Sequence, residues 1–265
     1  REPPRRGTTE PPAPLGNFPF MRAGQTAFTN TQVNPRPSTP DVTTDPNAVA
    51  VLKRVVDAKG GLDALKKVRT VVAEADTTFH VNGPPLSSKT RTYVIYPDKF
   101  RVDAKVQGAD VVQVFNGGDA WARDPAGVHD APLGMREDFA ASVRRDMIPL
   151  LVAAAEGKLT VRLLPDEGTG GQVLKVLEIS GAGLPPVKLY VDSQSLVVRQ
   201  SFQTPAPDGK RIQAEEIFSD YRAVAGVQVP FRADVRRNGT LILPRTLTTA
   251  TFNSPLDDTL FVRPQ

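Results

Sequence analysis

From Tyr96 to Val106 the chain reads YPDKFRVDAKV, and its apolar and charged residues take turns. Phe100, Val102, Ala104 and Val106 fall on one face of an extended strand, and Lys99, Arg101, Asp103 and Lys105 on the other. The same two-residue period runs just upstream, where Val71, Ala73, Ala75, Thr77 and Phe79 line one side of a strand before VNGPP turns the chain. TRTYVIY, FRVDAKV, VVQVF and DAWARD then follow in quick succession, joined by Pro97-Asp98, by QGAD and by Gly117-Gly118. None of these connections leaves room for a crossover helix, so the pattern predicts an antiparallel meander.

The period changes to that of a helix at two places. Asp45 is placed to cap a helix with Pro46 at its first position, and Ala48, Val51, Leu52, Val55 and Val56 recur at helical spacing until Gly60-Gly61 breaks the run. LDALKKV adds a further turn or two, with Leu62, Leu65 and Val68 on one face. In the middle of the meander, MREDFAASVRRDM sets Met135, Phe139, Val143 and Met147 at intervals of four with charges opposite, and Pro149 starts a second short helical piece. Strands resume with LTVRLL, VLKVLEIS, VKLYVD, LVVRQSFQ and RIQAEEIF. The last stretch is VQVPFRADVRRNGTLILPRTLTTATF, in which Asn238-Gly239 signals a type I′ hairpin. This gives a mainly β protein with about eleven or twelve strands and a few capping helices. A meander of that length must curl, because twisted open sheets rarely exceed about ten strands without closing or folding over. The curled sheet acquires a concave face that helices can cover.

Composition narrows the setting. With 40% hydrophobic and 23% charged residues the chain is an ordinary globular sequence, and no apolar run approaches the roughly 20 residues that span a bilayer. The formal charge of +4 is spread over scattered basic residues, which argues against a nucleic-acid partner while leaving peripheral membrane contact open. Cysteine is absent, which removes disulfides and thiolate metal sites. Residues 1–45 hold many of the 25 prolines and lack apolar periodicity, so they read as an extended arm in front of a domain over 46–265. Phe18, Phe20, Met21 and Phe28 stand in that arm as the residues expected to dock on a surface, of this domain or of another subunit.

Residues for catalysis are scarce. The two histidines, His80 and His129, sit in no paired metal spacing, and His129-Asp130 are loop neighbours that do not aim at one another. Glu215-Glu216 on a strand diverge to opposite faces, and GTGG at Gly168 to Gly171 reads as a turn between strands rather than a phosphate loop. The sequence therefore predicts no enzyme, no cofactor and no metal.

An ordered set of motifs carries a likeness. Gly60, Gly61, Ala64, Leu65 and Val68 form a GG-AL--V helix ending, followed by YPDKFRV, VFNGGDAW, a helical insert, LYVD and FSDYRAVAGVQVPF. Together, over residues 46 to 265, they resemble the LolA/LolB-like lipoprotein carrier and receptor superfamily of the bacterial periplasm. The resemblance implies an unclosed antiparallel β-barrel of about eleven strands with a helical lid, whose apolar interior receives acyl chains of lipids or lipoproteins. Similar domains also occur as non-catalytic parts of larger envelope proteins, including relatives of zinc peptidases. The proline-rich arm and the lack of a lipid-anchoring cysteine set this chain apart from an anchored LolB-type receptor.

Physical chemistry supports such a ligand. Each buried methylene contributes about 0.8 kcal/mol, so a chain of some sixteen carbons carries on the order of 12 kcal/mol before ordering costs. The expected lining is Phe79, Tyr96, Phe100, Val102, Val112, Val114 and Trp121, with Met135, Phe139, Val143 and Met147 as the cover and Trp121 also anchoring its hairpin against the sheet interior. The same residues could instead fill a solid core, which the sequence does not distinguish. Two functions follow: a periplasmic or envelope protein that binds a hydrophobic ligand, or an accessory subunit of an envelope assembly attached through residues 1–45.

Overall fold

A computed structural model describes residues 45–80, 84–181, 183–205 and 210–264. Two helices open the domain, α1 (Pro46–Lys59) and α2 (Leu62–Lys67). The Asp45 carboxylate accepts from Asn47 N–H at 2.9 Å and caps α1 as the sequence predicts. Gly60 ends the helix at φ 132°, and a Cβ there would stand 2.4 Å from the carbonyl oxygen of Gly226. Only glycine permits that close approach of helix and sheet.

Six strands follow: β1 (Thr70–Phe79), β2 (Leu86–Ile95), β3 (Lys99–Val106), β4 (Ala109–Asn116), β5 (Asp119–Asp124) and β6 (Gly127–Asp130). Then come α3 (Leu133–Arg145) and α4 (Met147–Ala155). Seven more strands complete the sheet: β7 (Thr160–Thr169), β8 (Gln172–Gly181), β9 (Leu184–Val191), β10 (Val197–Pro205), β11 (Arg211–Val224), β12 (Val227–Arg237) and β13 (Thr240–Phe252). A 3₁₀ turn follows at Asp258–Phe261.

All thirteen strands form one sheet in the order β6-β5-β4-β3-β2-β1-β13-β12-β11-β10-β9-β8-β7. Every pairing within it is antiparallel, and among the described residues β6 and β7 have no strand beyond them, so the barrel is unclosed. The count exceeds the expected eleven or twelve, partly because Gly127–Asp130, which reads as a loop around His129-Asp130, pairs with β5. The two-residue Asn238-Gly239 turn has φ of 46° and 79°, the type I′ geometry its sequence predicts.

The helical stripe from Met135 to Met147 is broken rather than continuous. α3 stops at Arg145, and Asp146 adopts ψ 138° and caps α4 by accepting from Ile148 N–H at 3.0 Å. Pro149 has no N–H to give the Arg145 carbonyl, which a continuous helix would require. Gln200 Nε2 on β10 donates to that carbonyl instead, at 2.9 Å.

The two sides of the sheet are covered differently. On the concave side, α1, α2 and α4 pack on β7 to β12 in the largest core, built around Val55, Leu65, Leu150, Leu151, Leu177, Ile179 and Leu189. α3 reaches across the opening, touching β4 and β5 at one end of the sheet and β9 and β10 at the other. On the convex side, Phe261 from the 3₁₀ turn seals Val112, Val114 and Trp121.

Candidate functional site: a roofed apolar trough

Alternation places one residue in two on the concave face, and the middle strands leave space there beneath α3. One cavity of about 310 Å³ is lined by Val71, Ala73 and Ala75 of β1, Val94 of β2, Tyr96, and Phe218, Val229 and Leu247 from the far side. A second, of about 260 Å³, is lined by Thr77 and Phe79, Val102 and Val106, Gln113 on β4, Phe202 on β10, and Val235 and Leu243 on β12 and β13. Thr92, Phe100, Ser142, Arg145, Glu216 and Arg245 border both, so the two are neighbouring compartments of one trough.

α3 forms the roof. Phe139 meets Phe100 edge-on, with ring centroids 4.8 Å apart, and Phe115 lies 6.2 Å beyond Phe100. At the opposite wall, Arg145 stacks over Phe202 at 4.0 Å and pairs with Asp138 at 3.1 Å, while Arg144 donates to the Gly183 carbonyl at 2.7 Å. The roof therefore rests on both ends of the curled sheet.

Of the residues expected to form the site, Phe79, Tyr96, Phe100 and Val102 line the trough, and Phe139, Val143 and Met147 border it. Met135 is buried with Phe115 and Ala120 and anchors α3 without reaching either compartment. Val112, Val114 and Trp121 are not in the trough: they face the convex side under Phe261. Trp121 thus anchors its hairpin against the outer cover rather than the interior. VVQVF is apolar in both phases of the alternation, so periodicity alone could not choose its face. Register could have done so. The Gln107-Gly108 turn pairs Phe100 with Phe115, Val102 with Gln113 and Ala104 with Val111, which sends Val112 and Val114 outward. The arm residues Phe18, Phe20, Met21 and Phe28 lie outside the described residues.

Sequence reading missed the charged groups of the trough and its entire C-terminal wall. In LILPRTL, Leu243, Arg245 and Leu247 share a face, and Ala233, Val235 and Arg237 repeat the arrangement on β12. An arginine in phase with apolar neighbours is a readable sign of a cation turned inward.

Two polar groupings result. At the first compartment, Tyr96 OH donates to Asp146 at 2.7 Å, and Lys59 lies 5.6 Å from the centre of the Tyr221 ring. Burial lowers the Lys59 ammonium pKa to about 8, against the opposing pull of Asp146. Burial, reinforced by Asp146, pushes the Tyr96 phenol well above its usual range. At the second, Arg145, Arg237 and Arg245 gather with Asp138 and Glu216. Glu215, by contrast, points to the other face, 3.5 Å from Arg199, so the adjacent glutamates form no dyad. Among the described residues, no group of three or more His, Asp or Glu could hold a metal ion. A larger hollow of about 490 Å³ on the convex side is lined by charged side chains of both signs, several of them paired, such as Lys89 with Asp76 and Arg101 with Asp103. Its lining is more polar than that of the trough, which suits an acyl chain less.

No protein-family model matches the sequence, and comparison with curated proteins finds no match. Solved structures do match. A DUF1329 family protein from Desulfovibrio piger superposes with a TM-score of 0.56 at 16% identity, covering 83% of this chain and 98% of that one. A LolA superfamily protein from Nitrosomonas europaea superposes with a TM-score of 0.50 at 14% identity, covering 82% of this chain and 97% of that one. At such identities the likeness speaks to architecture, and together with the unclosed thirteen-stranded sheet and its helical roof it shows that the chain has the LolA-like fold.

Proposed function

We propose that the domain binds a hydrophobic ligand, an acyl chain of a lipid or lipoprotein, in the bacterial envelope, with α3 as the lid. The observation that carries this reading is the unfilled apolar space under α3, bounded by strands from both halves of the sheet. Leaving apolar side chains without packing partners costs stability unless something occupies the space. A chain of methylenes supplies those partners and gains its own transfer free energy. α3 suits a lid because its contacts fall at its ends and along one apolar stripe, and because the break at Asp146 separates it from the firmly packed α4. Binding of this kind needs no catalytic step; it uses the apolar lining and the charged groups at its border. The reading places the protein in the periplasm, where proteins of this superfamily work. The accessory-subunit reading depends on the arm over residues 1–45, of which 1–44 lie outside the described residues.

Native mass spectrometry of the protein isolated from its source tests this directly. The expected result is a species heavier than the chain by the mass of an amphiphile, lost on delipidation and regained on adding it back. A delipidated protein that takes up no acyl compound would refute the proposal.

A further inference from the structure

We propose that Arg237 and Arg245, on the floor of the trough, hold the carboxylate of a single-chain fatty acid. The inference rests on the acyl-chain reading and names the head group it serves. Arg237 on β12 and Arg245 on β13 face the second compartment between apolar neighbours. Among the described residues neither guanidinium makes a hydrogen bond or ion pair, and Arg245 Nε is fully buried without a partner. Both side chains are half-buried, and the buried Arg245 N–H carries a cost that a carboxylate relieves in the bidentate geometry arginine favours.

The acids nearby do not fill this role. Asp138 is engaged by Arg145, and Asp146 accepts from Tyr96 and from Ile148 N–H. Glu216 borders both compartments but makes no hydrogen bond or ion pair among the described residues. The second compartment thus holds three cations (Arg145, Arg237, Arg245) against two carboxylates (Asp138, Glu216), an excess of one positive charge. One monoanion neutralises it. Burial lowers the Arg237 pKa below the usual arginine range, with Asp138 opposing and Arg145 adding to the effect, so a second positive charge close by is already felt there. The compartments, at about 310 and 260 Å³, lie near the small end of ligand sites, which suits one acyl chain rather than two or three.

The test is calorimetric titration of delipidated protein with dodecanoate, dodecanol and dodecyl phosphate below their aggregation concentrations. Dodecanoate should bind at least about tenfold more tightly than dodecanol. The double variant Arg237→Gln/Arg245→Gln should lose that preference while keeping wild-type affinity for dodecanol, which also shows that it folds. Equal affinity for dodecanoate and dodecanol, or a variant that keeps the preference, overturns the head-group assignment and leaves the acyl site standing. Tighter binding of dodecyl phosphate than of dodecanoate overturns the carboxylate assignment in favour of a phosphate head group. Failure of all three to bind removes the acyl reading and this inference with it.

Discussion

The two halves of the concave face are made of the same kind of strand and end in opposite states. Over β7 to β12, α1, α2 and α4 fill the face, and Leu150, Leu177 and Leu189 are wholly excluded from solvent. Over β1 to β4 and their partners across the sheet, α3 spans the space with only the ends of α1 and α4 at its margin, and Val102, Val94 and Ala73 look into it. Alternating ribbons therefore determine that there is an inside. Whether that inside is solid depends on how many helices are laid against it.

The sharpest way to break this comparison is matched truncation. Leu177→Ala, in the filled half, should cost about 2–5 kcal/mol, the range for opening a cavity in a packed core. Val102→Ala, in the hollow half, should cost less than about 1 kcal/mol, since few packing partners are lost there. Chemical denaturation of ligand-free protein measures both, and equal costs would mean the trough is packed like the rest.

A second effect sits where the halves meet. Lys59 ends α1 in the filled region and borders the hollow, 6% exposed. Its pKa is lowered on folding from 10.5 to about 8, so between those values the unfolded chain binds more protons and stability rises with pH. The penalty, of order 3 kcal/mol at most, is fully present below pH 8 and vanishes above about pH 10.5. Lys59→Met should therefore be more stable than the parent at pH 7, with the gap closing as the pH is raised through that window. Melting temperatures at several pH values follow it, and a gap independent of pH would contradict the burial of the charge.

The last effect is read as an exchange rate, from fixing the roof. A Cβ on Gly134 would lie 3.7 Å from that of Pro205, within the span of a disulfide, and the chain has no other cysteine to compete. Gly134→Cys/Pro205→Cys, oxidised, should slow entry and exit of an acyl ligand by tenfold or more, with reductant restoring the rate. Unchanged exchange would show that α3 is not the gate.

Much of this architecture was legible. The strand pattern of Phe100 to Val106, the Asp45 cap and the Asn238-Gly239 turn each rest on neighbours a few residues apart, and each forms as its local chemistry dictates. The site was only half legible. Phe79, Phe100 and Val102 could be placed because their strands have one apolar phase, whereas Val112 and Val114 could not, because theirs has two.

By itself the sequence determined that a long antiparallel meander would form and curl, because alternation, turns and caps are properties of short stretches of chain. Tertiary structure decided the rest: that Phe261 closes the outer face over Trp121, that the trough stays open under α3, and that Arg237 and Arg245 meet within it. Those outcomes depend on which surfaces far apart in the chain compete for the same space, and no local period encodes that competition.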